Sequence, residues 1–391
     1  MINSEFILHL TLLDTIGPAI IQKIIEMQRS DVSASDLYLF SQTDWMNIFG
    51  FTERVAQKLA IGLSDKKILE NELHLIAKHT IQWLSIQNSE YPQLLREIYL
   101  PPSILYFQGN QSLFNVAQKS LSVVGARKAD KYGKQVVDRI IPDLVAANYI
   151  IVSGGALGID TMAHEVAIKT GGATIAVFGS GLLHYYPASN TNLFKAIIEH
   201  NGLIVSSFPL KMQPLSGNFP ARNRIVTGLS HGCLVVQAAQ KSGALISAHY
   251  AMEQGREVFA IPGPIDDELS VGCNMLIQNG AKLVITSADI LQEFGDRIIL
   301  PDKQVTQEKA LQLTFESVAT VVSPKKIDSI ESSLYTSEQQ KIIAACKQPS
   351  SFDMIIAVTQ LSPEIIQSEL FNLQLDGIVA QDFTGMWSVL S

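Results

Sequence analysis

The sequence predicts an α/β protein built on a Rossmann-like, doubly wound, mostly parallel sheet, with helical segments on either side of it in the chain. Three observations carry this expectation. Between residues 116 and 297, seven short apolar runs rich in Val and Ile alternate with amphipathic helical patterns. Strands that read as continuous apolar runs are buried on both faces, as happens when crossover helices cover a parallel sheet. Several of these runs end in Gly or Ser, at the place where an open parallel sheet receives its ligand. Residues 1–75 show no strand pattern, and residues 336–391 return to helical periodicity after a polar stretch.

The N-terminal zone, 1–75, reads as short helices. Segments 13–24 and 48–59 share a shape: an apolar residue, then Gly17 or Gly50, then an amphipathic helix. A helix-hairpin-helix pair has this form, and its glycine turn can offer backbone N–H groups to a phosphate. A helical bundle with glycine-ended turns has it too, and the acidity of the segment suits that second reading. Residues 76–297 form the expected Rossmann-like domain with its N-terminal extension. In 76–115, Tyr91-Pro92 and Pro101-Pro102 argue for a short helix, a turn and one extended segment. The strand candidates are 121–125, 149–153, 174–179, 203–207, 233–238, 257–261 and 282–285, with helical patterns at 131–147, 160–170, 190–200 and 244–254. Residues 298–335 are polar, with Pro301 and Pro324, and read as a linker. In 336–391, helical patterns at 337–347, 351–358 and 362–376 precede two short segments that suit a hairpin. Three helices and a hairpin make a winged-helix pattern.

Composition bounds the function classes. Hydrophobic residues are 47% of the 391 and charged residues 17%, which is enough apolar material for a core. The formal charge of -8 is unevenly spread: -4 over 1–115, +1 over 116–297 and -5 over 298–391. A polyanion site in the middle segment must therefore be a local cluster rather than a basic surface. Cys233, Cys273 and Cys346 are far apart and lack CxxC spacing, which argues against a disulfide framework or a zinc site and for a reducing compartment. The first residues show no basic leader, and no run of about 18 apolar residues exists. A cytoplasmic protein is expected.

The strand ends carry the chemistry. They read Gly125-Ala126-Arg127-Lys128, then Ser153-Gly154-Gly155 running on to Gly158-Ile159-Asp160, then Gly179-Ser180-Gly181, then Lys241-Ser242-Gly243-Ala244. Small residues at such positions let phosphates approach helix N-termini. Neither GxGxxG nor GxxxxGK[ST] is present, so neither NAD nor ATP is expected and no cofactor is implied. The densest cluster is Asn218-Phe219-Pro220-Ala221-Arg222-Asn223-Arg224, where two arginines can grip phosphate and Phe219 can stack on an unpaired base. That mixture suits single-stranded nucleic acid, although a helix start with surface arginines would look similar. His164 and His249 fall on helical patterns without a paired nucleophile. His184-Tyr185-Tyr186 suits a packed loop, and Asp266-Asp267-Glu268 a solvated turn. No catalytic residue and no metal ligand set is expected.

At these residues a resemblance becomes specific. Val123-Val124-Gly125-Ala126-Arg127, Gly158-Ile159-Asp160, Ala163-His164, Tyr186-Pro187, the 218–224 cluster, Glu253-Gln254-Gly255-Arg256, Pro262-Gly263 and Gly272-Cys273-Asn274 run in an order that resembles the central domain of DprA/Smf proteins. The N-terminal helices resemble that family's SAM-like domain, and the C-terminal segment resembles its winged-helix domain. The resemblance implies a non-enzymatic protein of natural transformation that binds and protects single-stranded DNA in the Rossmann pocket. It further implies homodimers formed through the central domain and the loading of a RecA-type recombinase. Carried over by position, the DNA contacts are Gly125, Arg127, Ser153, Gly154, Asn218, Phe219, Arg222, Asn223 and Arg224, with Ser242 and Gly243 beside them. Three positions depart from the family pattern: Ala126 stands for Ser, Leu157 for Arg and Gln237 for Glu. A lost positive charge at 157 would leave an acid unpaired, so Gln237 reads as a coupled change. The alternative is an enzyme similar to the LOG-type nucleotide phosphoribohydrolases. Their PGGxGTxxE segment supplies glycines and an acid, and residues 237–247 here have neither the double glycine nor the acid.

Overall fold

The computed structural model describes residues 2–28, 33–115, 119–295, 335–348, 350, 352–375, 378–381 and 387–389. The chain divides into two compact units, 1–303 and 304–391.

The first unit begins with six helices: α1 (Ser4–Leu12), α2 (Pro18–Glu26), α3 (Ala34–Tyr38), α4 (Gln42–Phe49), α5 (Glu53–Ser64) and α6 (Lys67–Lys78). Side chains set their starts. Asn3 accepts from the Phe6 amide at 2.8 Å to cap α1, and Ser33 and Ser41 form capping boxes with Asp36 and Asp44 at α3 and α4. Gly50 closes α4 in the left-handed conformation at φ 62. Phe6, Trp45 and Leu59 are wholly buried in an apolar cluster that also takes in Phe178, Phe194 and Ile204. The cluster is thus continuous from the helices to the residues that follow them. Within it lies one acid. Glu72 on α6, 6% exposed, accepts the Leu210 amide at 2.7 Å, and burial pushes its carboxyl above the usual range.

Next come β1 (Gln82–Ser85), α7 (Gln93–Arg96) and β2 (Ile104–Gly109), then β3 (Ser120–Val124) and α8 (Lys131–Ala146). They are followed by β4 (Ile150–Ser153), α9 (Ile159–Lys169), β5 (Thr174–Phe178), α10 (Thr191–Glu199), β6 (Leu203–Ser206) and α11 (Asn218–Gly228). Last are β7 (Gly232–Val235), α12 (Gly243–Glu253), β8 (Glu257–Ala260), α13 (Glu268–Gln278), β9 (Lys282–Leu283) and α14 (Ser287–Glu293). The nine strands lie in the order β1-β2-β6-β5-β4-β3-β7-β8-β9. Strands β3 to β9 are the seven apolar runs of the sequence, and every pairing among them is parallel. The α/β class and the mostly parallel sheet stand as expected. The extension contributes two strands rather than one, since β2 pairs antiparallel with β6, and β1 with β2.

The chain runs outward from β3 through β4, β5 and β6, then returns to place β7 on the other side of β3. The carboxyl ends of β3 and β7 therefore flank the switch point, where adjacent crossovers go opposite ways and leave a crevice. Among the described residues, no helix is long and apolar enough to cross a membrane.

The second unit holds α15 (Ser337–Ala345), α16 (Phe352–Thr359) and α17 (Pro363–Leu375), with β10 (Val379–Gln381) antiparallel to β11 (Trp387–Val389). Ile342, Cys346, Ile355, Ile366 and Leu370 form its core. The linker expected at 298–335 lies outside the described residues apart from Tyr335.

Candidate nucleic-acid interface

A cavity of about 670 Å³ opens at the switch point. Among the expected residues, Gly125, Arg127, Gly154, Phe219, Arg222, Asn223, Ser242 and Gly243 line it. They come from four places in the chain: Gly125 and Arg127 after β3, Gly154 after β4, Phe219, Arg222 and Asn223 on α11, and Ser242 and Gly243 at the start of α12. Ser242 caps α12 by accepting the Ala244 amide at 3.2 Å, and a Cβ on Gly243 would meet no atom within 4 Å, so that helix start faces open space. Asn223 reaches across to the Gly243 carbonyl at 3.4 Å.

Two glycines are dictated by close approach. A Cβ on Gly154 would run into the Arg222 guanidinium, and one on Gly158 would strike the carbonyl oxygens of Ala126 and Arg127. Gly158 also takes φ 80, a conformation that L side chains rarely adopt. The turns after β3 and β4 are thereby held backbone to backbone.

Arg222 is 4% exposed. Its Nη1 donates to the Gly154 carbonyl and, at 2.5 Å, to the Val177 carbonyl. Burial lowers its pKa to about 10 against the opposing pull of Asp160. Asp160, 7% exposed, accepts the Ala156 amide at 3.3 Å; burial raises its pKa and Arg222 counters the rise. Arg222 therefore forms the floor of the cavity, with Nη1 committed to main-chain carbonyls, instead of being a free phosphate fork.

Three expected contacts lie away from the cavity lining. Ser153 is fully buried and donates to the Val123 carbonyl at 2.7 Å. Arg224 donates from both terminal nitrogens, at 2.7 Å each, to the carbonyls of Tyr99 and Leu100. Asn218 starts α11 and reaches the Gln213 carbonyl at 3.5 Å. None of the three lines the cavity. A helix places successive side chains about 100° apart, so 218–224 cannot all face one ligand.

Arg127 is exposed, and its guanidinium carbon lies 5.4 Å from the Phe219 ring centroid. Tyr186 packs on the same ring with centroids 5.6 Å apart, and is 47% exposed. Cation, phenyl and phenol thus form a ladder along the rim. Tyr186, Ala156, Asp160, Ser216 and Ser247 line the cavity without having been singled out as contacts. Tyr186-Pro187 follows the Gly179-Ser180-Gly181 strand end, and that position was the available signal.

His164 is buried. Thr174 donates its hydroxyl to the Ile151 carbonyl at 2.6 Å, so the Nδ1 of His164, 2.7 Å away, donates to the Thr174 oxygen. Burial, aided by Arg222, lowers its pKa to about 3 and keeps it neutral. His249 pairs with Glu253 one turn on, at 3.2 Å.

The departures from the family pattern separate in space. Gln237, 1% exposed, donates to the Asp130 carboxylate at 2.9 Å. Leu157 is 47% exposed, beside a recess shared with Arg127, Tyr186 and Phe219. The partner of Gln237 is Asp130, so its identity needs no compensation at Leu157, and the coupling expected between them is not what the packing expresses. Ala126 is buried and offers its carbonyl to the Ile159 amide at 3.2 Å.

Residues 82–295 match the sequence model of the family described as DNA recombination-mediator protein A. The chain is 47% identical over 210 residues to the DNA processing protein DprA of Streptococcus pneumoniae, covering 54% of this chain and 73% of that protein. It is 42% identical over 217 residues to that of Bacillus subtilis, covering 56% and 72%. The X-ray structure of DprA from Streptococcus pneumoniae aligns with a TM-score of 0.65 at 37% identity, over 75% of this chain and 99% of that one. Matched by the family model over more than half its length, the chain belongs to the DprA/Smf family of DNA-processing, recombination-mediator proteins.

Proposed function

We propose that the protein binds single-stranded DNA at the switch-point cavity, protects it, and passes it to a RecA-type recombinase in natural transformation. The Arg127–Phe219–Tyr186 ladder is the observation that carries this reading. An exposed cation attracts phosphate, and the exposed Tyr186 ring with the half-buried Phe219 ring beside it offers a stacking edge that only unpaired bases can use. The floor adds no competing charge, because its one acid, Asp160, is matched by Arg222. The open start of α12 adds backbone N–H groups and a favourable dipole for a phosphate.

The reading is non-enzymatic. A nucleotide phosphoribohydrolase needs an acid free to transfer protons, and the acid lining this cavity, Asp160, is buried and held to the Ala156 amide within the field of Arg222. Family resemblance supports homodimers through the central domain, a SAM-like role for 1–75 and a winged-helix role for 336–391. Two pockets on one strand would gain avidity through effective concentration. Buried, unpaired Cys233, Cys273 and Cys346 suit the reducing cytoplasm.

Anisotropy titrations of the full chain with labelled single- and double-stranded oligonucleotides of equal length test the proposal. Single-strand binding should dominate, be insensitive to sequence and weaken as salt rises. Equal or tighter binding to blunt duplex, or release of a base from a nucleoside monophosphate, would refute it.

A further inference from the structure

We infer that Gln237 is a positioning residue of this site: its neutral carboxamide fixes the 125–130 loop, and through it Arg127, without setting a second acid beside Asp130. The inference rests on the reading that Arg127 holds single-stranded DNA.

Gln237 lies just past the end of β7, and its carboxamide reaches the start of α8. Its Nε2 donates to Asp130 Oδ1 at 2.9 Å, and its Oε1 accepts the Asp130 amide at 3.3 Å. The same Oδ1 accepts the Gly133 amide at 3.0 Å, which caps α8. Gly133 has no Cβ at the place the carboxamide occupies. At the other end of the loop, a Cβ on Gly125 would lie 3.1 Å from the Gln237 carbonyl oxygen. The Gln237 carboxamide therefore holds the α8 end of the six-residue loop that carries Arg127, while its main chain passes beside Gly125 at the other end. Arg127 itself is exposed and rests on Phe219, so its backbone is held from beneath, by Gln237 and the Ile159 amide, and not by its own side chain.

The chemical type at 237 follows from its neighbours. The charged group facing the carboxamide is Asp130, whose pKa is lowered first by the Gly133 amide and further by Gln237. The nearby titratable groups are the Tyr132 phenol, which donates to the Pro262 carbonyl at 2.6 Å, and the buried Cys273 thiol on α13, raised to about 12; both are neutral at physiological pH. A carboxyl introduced at 237 would have to share a proton with Asp130. Once that proton left, a buried carboxylate at 237 would face the exposed Asp130 carboxylate at hydrogen-bond distance. An amide donates one hydrogen bond and accepts the other at every pH, so the loop is held independently of pH.

The test uses the full chain, labelled oligo(dT), fixed salt, and pH 5 to 9, with thermal unfolding in the same buffers. Every affinity is divided by the wild-type value at that pH, which cancels titration elsewhere in the site. Q237E should bind like wild type at the acid end and about tenfold more weakly at pH 8, the size of one lost charge-assisted hydrogen bond. D130N/Q237E should restore wild-type affinity at pH 8, because a neutral amide then meets the introduced carboxylate and Asn still caps a helix. Q237E that follows wild type at every pH overturns the inference, as does a folded double variant that stays weak at pH 8. If Q237E alone unfolds at pH 8, the folded double variant decides. Wild-type protein that fails to bind oligo(dT) overturns the functional reading and this assignment with it; wild type that binds while Q237E shows no pH dependence removes this assignment alone.

Discussion

Arg222 and Gly154 are in direct contact: the guanidinium donates to the Gly154 carbonyl and fills the space that a side chain at 154 would need. A second bond from the same nitrogen to the Val177 carbonyl ties the turn after β4 to β5. Removing the arginine would free two carbonyls and leave Asp160 buried without its countercharge. Arg222→Ala should therefore destabilise the first unit by about 3–5 kcal/mol and abolish DNA binding through disorder of the site. Denaturant unfolding followed beside binding checks this. A stable Arg222→Ala protein that loses only affinity would instead make Arg222 a direct phosphate contact.

Arg224 should behave in the opposite way to a DNA contact. Its two bonds to the Tyr99 and Leu100 carbonyls tie α11 to the segment before β2. Arg224→Ala is expected to lower stability by about 1–3 kcal/mol while folded protein keeps near wild-type affinity for oligo(dT). A tenfold loss of affinity at unchanged stability would return it to the DNA surface.

Arg127 and Phe219 should read out in binding rather than folding, because both lie on the open rim. Arg127→Ala should weaken single-strand binding by about 1–3 kcal/mol and flatten the salt dependence by roughly one phosphate contact. Phe219→Ala should cost about 1–3 kcal/mol of stacking. Because the guanidinium rests on the ring, the double variant should lose less than the sum. Full additivity would mean the two residues act on DNA independently.

The sheet was legible because burial on both faces leaves an unmistakable run of Val and Ile, as in 121–124 and 150–152. The antiparallel edge was only half legible. Segment 82–85 carries a Trp and polar residues, only its last two residues are buried, and its apolar signal is short. Within the site, Arg127 and Phe219 could be read from type and position. Arg222 and Arg224 could not be told apart from Arg127 by type, because a guanidinium suits a backbone carbonyl as well as a phosphate. Only burial separates the uses, and burial on α11 depends on which face meets β4 and β5. Gln237 was noticed as a departure, but its partner Asp130 is 107 residues away in sequence, so no local pattern could supply it.

His164 makes part of the stability pH-dependent. Its folded pKa of about 3 lies below the ordinary value of 6.5. Between these values the unfolded chain binds a proton that the native state refuses. The contribution is fully present above about pH 6.5 and is lost as pH falls toward 3, at up to about 1.4 kcal/mol per unit. His164→Gln should reduce the slope of unfolding free energy against pH in this window by up to one proton. An unchanged slope would mean that His164 is protonated in the folded state.

Under the proposed reading this site supplies a held strand to the recombinase. Residues 298–391 carry a net charge of -5, and such a segment repels duplex DNA more than it reads it. The 304–391 unit has its own apolar core, with Ile342, Ile366 and Leu370 buried, so its removal need not disturb the sheet. Deleting residues 336–391 should leave single-strand affinity unchanged. In a strand-exchange assay with a RecA-type recombinase and a single-strand-binding protein, the truncated chain should still stimulate exchange. Arg127→Ala should reduce stimulation in proportion to its lost affinity, because filament nucleation would then be limited by how long the strand stays bound. Stimulation that disappears with the deletion, at unchanged DNA affinity, would move recombinase contact to the C-terminal unit. No stimulation at any protein ratio, or nucleotide hydrolysis by the purified chain alone, would end the mediator reading.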